Sequence, residues 1–439
     1  MTEPHKAVSM KTIWSFFLPL GVSASLVTVS HVIINSTLTR AVEPEKVIAS
    51  YAIAMSLLTI TERPAVLLRQ TCSALVRDRT SFRSMLTVAQ LVFLSILALG
   101  ALICYTPLGT AIFQGVFGVH KDNVDSVINV YRVLMFVSLF SGLRCLYQGV
   151  IIYHMRTKWL TIGMGIRLAG MYLLSLYFIH QGVTSGTVGA YIFLFGMIIE
   201  AVVSYIEGRS LVRTMPLKVA AHPVESKGQI FSFYRPLLLS TLITVWIVPT
   251  INIILGKTYN AELAISSFAI AASLIGLLTS FFSYFHQIVL NFYRLDPKTV
   301  QKFTLMLGFV PALLIGIIAY SPLGTILLRD IMGVQGDLQI ESLRVLKAFV
   351  LFTLVMPWLD ALNGLVMVRG QTKLIFGSQA ANLSFTVATL LLLVWLGPSL
   401  NGAIGALAQS VGMAAEFGFM ALALRYIKPM DTVLAGKER

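Results

Sequence analysis

The chain has 439 residues, 56% hydrophobic and 12% charged, with a mean hydropathy of +0.82. A soluble domain carries about a quarter charged residues, and here the apolar residues fall in long blocks, so a soluble globular protein and a barrel of alternating strands are both excluded. The formal net charge of +14 suits either a nucleic-acid surface or the cytoplasmic loops of a membrane protein, and the placement of the basic residues decides between them.

Taken in chain order, the apolar blocks predict twelve spanning helices at about 13–38, 46–75, 84–105, 125–153, 158–180, 185–207, 230–255, 262–291, 302–320, 341–368, 373–396 and 400–425. Only helices or closed barrels satisfy every backbone polar group in hydrocarbon, and these blocks are too long and too evenly apolar for barrel strands. The first block follows Lys6 and Lys11 and contains Pro19; its length marks a retained helix rather than a cleaved signal. Cys72, Cys104 and Cys145 have neither paired nor metal-ligand spacing and read as small core residues. No cofactor or metal site is expected.

The connecting loops set the topology. Loops on the side of the two termini carry 20 Lys or Arg, against five in the opposite loops. This asymmetry places both termini in the cytoplasm of a multi-pass plasma (inner) membrane protein and explains the basic balance without nucleic acid. The longest loop, 208–228, with Pro216, His222 and Pro223, falls at the midpoint and reads as a linker between an N-lobe (1–207) and a C-lobe (229–439).

The two halves repeat. Ser15-Phe16-Phe17-Leu18-Pro19-Leu20 returns as Ser232-Phe233-Tyr234-Arg235-Pro236-Leu237, and IASYAIAMSLL at 48–58 returns as ISSFAIAASLI at 265–275. YTPLGT at 105–110 returns as YSPLGT at 320–325. Gly118-Val119, Gly149, Thr157-Lys158 and Glu200 find mates in Gly333-Val334, Gly364, Thr372-Lys373 and Glu416. The order is collinear and the offset stays at 215 to 217 residues. Six spans per half make the repeats parallel, related by an axis along the membrane normal, with a substrate site expected between two bundles.

Charges inside spans are costly and mark function or a specific partner. The spans retain Glu62, Arg63, Arg69, Arg144, Arg167, Glu200, His286, Asp360 and Glu416. The repeat maps Arg69-Gln70 onto His286-Gln287, so corresponding helices carry a basic or protonatable group at one depth. Arg144 and Gln148 are four apart and share a helix face. Arg63, Arg69, Arg144, Gln148, His286 and Gln287 are therefore the expected substrate contacts. Asp360, Glu416 and His286 are expected to form a proton or Na⁺ coupling group, and Arg167 to pair with Glu200 as a structural contact. Pro64 is expected to bend the second helix beside Arg63.

Six plus six parallel repeats with a proline-interrupted first helix in each half resemble the multidrug/oligosaccharidyl-lipid/polysaccharide exporter superfamily, which includes the MATE exporters and the lipid II flippase. FFLPLGVSASL at 16–26, ASYAIAMSLL at 49–58, Pro64, Arg69, Arg77-Asp78-Arg79-Thr80, the Gly149 region and Glu416 are most similar to the progressive ankylosis protein group. The resemblance implies an all-α, V-shaped MATE-like fold with a central cavity and export of a small anion such as pyrophosphate, nucleotide or citrate. MATE exporters of one branch use an aspartate in the first helix, where this chain offers only His31 and Asn35. Another branch uses a glutamate in the seventh, where residues 230–255 hold no acid. The resemblance therefore does not carry drug/Na⁺ antiport by those residues.

The expected function is secondary active export of a small anionic solute by alternating access, by a monomer in the lipid bilayer. The alternatives are a MATE-type organic cation antiporter and a flippase of a phosphate-bearing lipid. Enzymatic activity is not expected, since no interfacial cluster of His, Asp or Ser and no phosphate-binding glycine loop occurs.

Overall fold

A computed structural model describes residues 8–42, 44–117, 119, 121–219, 224, 226–258, 260–332 and 334–426. The termini, linker residues His222 and Pro223, and repeat mates Gly118 and Gly333 lie outside the described residues. The first half contains α1 (Met10–Leu38), α2 (Pro44–Thr61), α3 (Arg63–Leu75), α4 (Arg79–Tyr105), α5 (Pro107–Gly115), α6 (Lys121–Tyr153), α7 (Lys158–Gln181) and α8 (Thr187–Thr214). The second contains α9 (Lys227–Leu255), α10 (Ala261–Ser280), α11 (Phe285–Phe292), α12 (Pro297–Gly308), α13 (Val310–Tyr320), α14 (Pro322–Ile326), α15 (Asp337–Ala348), α16 (Val350–Val368), α17 (Lys373–Leu396) and α18 (Ala403–Tyr426). A π turn at Leu327–Ile331 and a 3₁₀ turn at Pro398–Leu400 complete the described elements.

Eleven helical stretches are long and apolar enough to cross a bilayer, and the pair α2–α3 supplies a twelfth when taken as one bent span. Their outward faces carry large apolar side chains such as Leu94, Leu173, Leu391 and Trp395, which suits a lipid surrounding. The chain is an all-α membrane protein whose helices follow the twelve expected spans.

Local chemistry explains the ends and breaks. Pro64 opens α3, and α2–α3 bends by 40°, since proline removes an amide donor and crowds the preceding turn. The corresponding span of the second half breaks between Ser280 and Phe285 with no proline at the break. Arg77 donates to the carbonyls of Ser73, Ala74 and Val76 at the end of α3. Asp78 caps α4 in a reciprocal box with Ser81, and its other oxygen accepts the Val219 amide at 3.0 Å. The Arg-Asp-Arg-Thr stretch thus terminates one helix, starts the next and holds the segment after α8. That helix continues to Thr214, seven residues into the expected linker, with Leu211 buried. Asp296 caps α12 by accepting from the Thr299 amide and hydroxyl at 3.1 and 2.7 Å; the hydroxyl contact, with the amide, holds this carboxyl below the usual carboxylate range. The YTPLGT and YSPLGT copies start the short helices α5 and α14, where Thr106 and Ser321 accept the amides of Leu108 and Leu323 and proline takes the first helical position. The apolar pattern had marked these segments only as loops.

The chain divides into two compact units. One runs over Val22–Tyr234, with a core from Ile34 to Met197. The other takes α1 as far as Gly21 together with the chain from Arg235, with a core from Ile247 to Ala408. These differ from the expected halves at their starts, for a packing reason. Trp14, Phe16 and Phe17 make edge-on contacts with Phe303, Phe292 and Phe281 at centroid distances of 5.2, 5.2 and 5.5 Å. In the first unit, Tyr234, the repeat mate of Phe17, donates its hydroxyl to the Pro64 carbonyl at 2.8 Å.

The repeat is also a repeat of contacts. A Cβ built on Gly149 would stand 2.7 Å from the Arg69 carbonyl and 2.6 Å from the Cys72 Cβ, and one on Gly364 would stand 2.8 Å from the His286 carbonyl and 2.8 Å from the Val289 Cβ. Arg69 and His286, and Cys72 and Val289, are mates at the same offset of 217. Small residues at these crossings let backbones approach. Gly149→Val and Gly364→Val are each expected to destabilise by about 1–3 kcal/mol through overpacking, read as a lowered thermal midpoint in detergent, with Gly165→Val, which meets open space, as the unchanged control.

Candidate functional site

In the first unit, the membrane-depth charges assemble around one carboxylate. Glu200 on α8 is 1% exposed. Its Oε2 accepts Nη1 of Arg167 on α7 at 2.8 Å and Nη1 of Arg144 on α6 at 3.0 Å, and its Oε1 accepts Nε2 of Gln148 at 3.0 Å. Arg69 on α3 donates to the Gln148 Oε1 at 3.3 Å. The expected Arg167–Glu200 pair is present. The shared face of Arg144 and Gln148 is also present, and it serves to hold Glu200. Four helices thus meet on a buried polar chain, which is tolerable only when each charge has a partner at hydrogen-bond distance.

Beside this chain lies a cavity of about 230 Å³, wholly within the unit, lined among others by His31, Thr59, Glu62, Arg63, Arg144 and Arg167. Arg63 and Glu62 reach it because the α2–α3 bend places them there. Phe193 forms part of the wall, with the His31 ring stacked on it at 5.7 Å and the Arg167 guanidinium over its face at 5.2 Å. Nε of Arg144 and both Nε and Nη2 of Arg167 are buried without a hydrogen-bond partner among the described residues. Of the six expected substrate contacts, Arg63 and Arg144 line this cavity. Arg69 and Gln148 stand behind it in the polar chain, and His286 and Gln287 belong to the other unit. Of the other lining residues, Thr59 and Glu62 could have been read from the proline, since a bend at Pro64 turns one stretch of the second span inward; His31 on α1 and Arg167 on α7 come to the cavity by helix packing.

The second unit separates the expected coupling group into two. Nδ1 of His286 on α11 lies 3.0 Å from Oδ1 of Asp360 on α16, whose Oδ2 accepts the His286 backbone amide at 3.0 Å. Glu416 on α18 does not join them. It is 1% exposed and accepts from Nε2 of Gln379 at 2.5 Å, from Nδ2 of Asn382 at 2.6 Å and, at 3.5 Å, from the Ser378 hydroxyl. The expected triad of Asp360, Glu416 and His286 is corrected accordingly: Asp360 answers α11, while Glu416 is reached from α17. Among the described residues, no group of three or more His, Cys, Asp or Glu is placed to hold a metal.

Solved structures decide the architecture. The chain has the MATE fold. An outward-facing multidrug resistance MATE family transporter of the MOP superfamily aligns with a TM-score of 0.73 over 94% of this chain and 95% of its own, at 15% identity. The eukaryotic MATE transporter AtDTX14 aligns at 0.71 over 95% and 96%, also at 15% identity. A MOP superfamily transporter from Pyrococcus furiosus Vc1, described as having a binding pocket of reverse polarity that suggests a different function, aligns at 0.72 over 94% and 95%, at 16% identity. No protein-family model and no curated protein sequence matches the chain. At these identities the likeness is one of fold, and the MATE fold accounts for twelve helices in two duplicated halves.

Glu200→Gln leaves two buried guanidiniums facing a neutral partner and is expected to cost about 3–5 kcal/mol. Glu416→Gln, whose partners are neutral, is expected to cost clearly less. Thermal unfolding of the two variants in the same detergent compares them directly.

Proposed function

We propose that this chain is a secondary active transporter working by alternating access, and that the cavity of the first unit takes the anionic group of a small exported solute. The observation that carries this reading is the wall itself: three arginines meet there, and three buried guanidinium nitrogens on Arg144 and Arg167 have no acceptor among the described residues. A buried donor without a partner costs about 1–3 kcal/mol, more when charged. A phosphate or carboxylate would satisfy such donors and balance the excess positive charge, with arginine suited to bidentate contact. Glu200 spends its charge on Arg144 and Arg167, and against Arg63, Arg144 and Arg167 the two acids Glu62 and Glu200 still leave one net positive charge for an anion. The Pyrococcus furiosus protein supports the reading by analogy, as a relative in fold whose pocket is described as reversed in polarity.

Arg63 acts as the entering contact, since it is exposed and lines the cavity. Arg144 and Arg167 act as fixed donors. Arg69 and Gln148 are positioning residues that act through Glu200. In the second unit, His286, Asp360 and Glu416 offer protonatable groups for coupling to H⁺ or Na⁺, and Gln287 beside His286 offers a polar contact. The excess of basic residues in the loops on the side of the termini supports a cytoplasmic location for both ends in a plasma (inner) membrane. A second reading, an organic cation antiporter, is favoured by Glu62 in the cavity and by the multidrug transporters that share the fold.

Proteoliposomes holding the full chain and loaded in parallel with labelled pyrophosphate, citrate, nucleotide and a cationic dye separate the two. Movement of at least one anion, reduced roughly ten- to a hundredfold in Arg63→Gln as one charged hydrogen bond is lost, is the expected result. Dye movement alone, lost in Glu62→Gln, assigns the cation reading instead.

A further inference from the structure

The duplication supplies an internal comparison that isolates one residue. α7 and α17 are each 24 residues long and begin at Lys158 and Lys373, which are repeat mates offset by 215. At that offset Arg167 corresponds to Asn382, Met164 to Gln379, Gly163 to Ser378 and Met171 to Thr386. Glu200 corresponds to Glu416 and Gly196 to Gly412, both offset by 216. The contacts confirm the register: Gly196 faces Met171 and Arg167, and Gly412 faces Thr386 and Asn382. The two buried glutamates therefore occupy one structural position with opposite surroundings. Glu200 is answered by two guanidiniums. Glu416, equally buried, is answered by two amides and a distant hydroxyl, because the place of Arg167 is taken by Asn382.

The charged groups on the elements packed against α18 do not fill that gap. They are Lys373 on α17, Asp360 on α16, and Asp337, Glu341, Arg344 and Lys347 on α15; Glu262 on α10 has its side chain outside the described residues. Asp360 is bonded to His286, and Glu341 to Arg344 at 2.7 Å. None is a hydrogen-bond or ion-pair partner of Glu416. A carboxylate without a counter-charge at membrane depth is costly, and protonation removes the cost.

The amide shell is built for both states. The Asn382 Oδ1 accepts the Thr386 hydroxyl at 3.1 Å, which directs its Nδ2 to Glu416. The Gln379 Oε1 is buried without a hydrogen-bond partner among the described residues. Turning that amide over breaks no bond at the oxygen and presents an acceptor to a carboxylic acid in place of a donor to a carboxylate.

We infer that Glu416 is a reversible proton-binding site, and that the Gln379 amide turns to match its two states. The step transfers a proton from hydronium of the aqueous phase: one O–H bond forms at a Glu416 oxygen, one O–H bond of the hydronium breaks to leave water, and the hydrogen bond from Gln379 Nε2 gives way to one accepted by Gln379 Oε1. Its place in a transport cycle rests on the reading of the chain as a secondary transporter; the proton site itself does not.

Infrared difference spectra of the full chain in lipid, recorded between acid and alkaline pH, read the site without a substrate. A carbonyl band of a protonated carboxylic acid is expected to titrate. It should be absent in Glu416→Gln and retained in Glu200→Gln. Its midpoint should move by about one pH unit, a tenfold change in proton affinity, in Gln379→Met, the residue found at the mate position. Asn382→Arg, which supplies the missing cation, should abolish the band over the same range. A band that survives Glu416→Gln, or a Gln379→Met variant that titrates like the parent, overturns the inference. So does a band set by Na⁺ concentration and indifferent to pH. A titrating band in liposomes that move none of the four test solutes leaves the proton site standing and sinks the transport reading alone. Solute movement with no carboxylic band does the reverse.

Discussion

A carboxylate buried between membrane helices has to be answered inside the protein, because hydrocarbon supplies neither water nor counter-ion. Glu200 is the case on which the first unit depends. Its two oxygens draw in Arg144 and Gln148 from α6 and Arg167 from α7, and Arg69 from α3 joins through Gln148. Once these side chains are committed to one point, Nε of Arg144 and both Nε and Nη2 of Arg167 have no acceptor among the described residues, while Nη2 of Arg144 turns to Ser141 and Cys145. The same constraint that secures the helices leaves unpartnered donors on two residues of the adjoining cavity. Structure and candidate function there are two consequences of one ion cluster.

Duplication makes the second unit a variation on that arrangement. Its backbone register is kept, as Gly149 and Gly364 show by meeting mated residues on the broken second spans. Its side-chain chemistry is not kept. Replacing the arginine position by Asn382 and the methionine position by Gln379 turns a fixed ion cluster into a neutral shell around Glu416. The second unit places Asp360 against His286 on a different helix pair. Two units of one origin have thus become chemically unlike, one rich in arginine and the other in protonatable groups.

The break in the second span gives the first unit its cavity. A straight helix through residues 46–75 would present Glu62 and Arg63 at adjoining angles of one cylinder. The bend at Pro64 changes the axis at that point, and both residues line the cavity together with Arg144 and Arg167. Phe193 also lines the cavity, with the His31 ring stacked on it and the Arg167 guanidinium over its face. A small apolar surface with a few convergent charges is how a solute site is ordinarily built.

The sequence by itself determined the class, the span positions and the duplication, because bilayer thickness fixes the length of an apolar block and a repeat of Pro-Leu-Gly-Thr in register does not arise from apolarity alone. It also carried the pairing of Arg167 with Glu200 and the common face of Arg144 and Gln148, since helix period and burial cost are local rules. Tertiary structure decided which charges meet. Asp360, Glu416 and His286 all belong to the second half, yet Asp360 turns to α11 and Glu416 to α17, and no spacing along the chain distinguishes one helix neighbour from another. The exchange of α1 as far as Gly21 into the unit formed with the second half follows from aromatic packing of Trp14, Phe16 and Phe17, a choice that only three-dimensional complementarity makes.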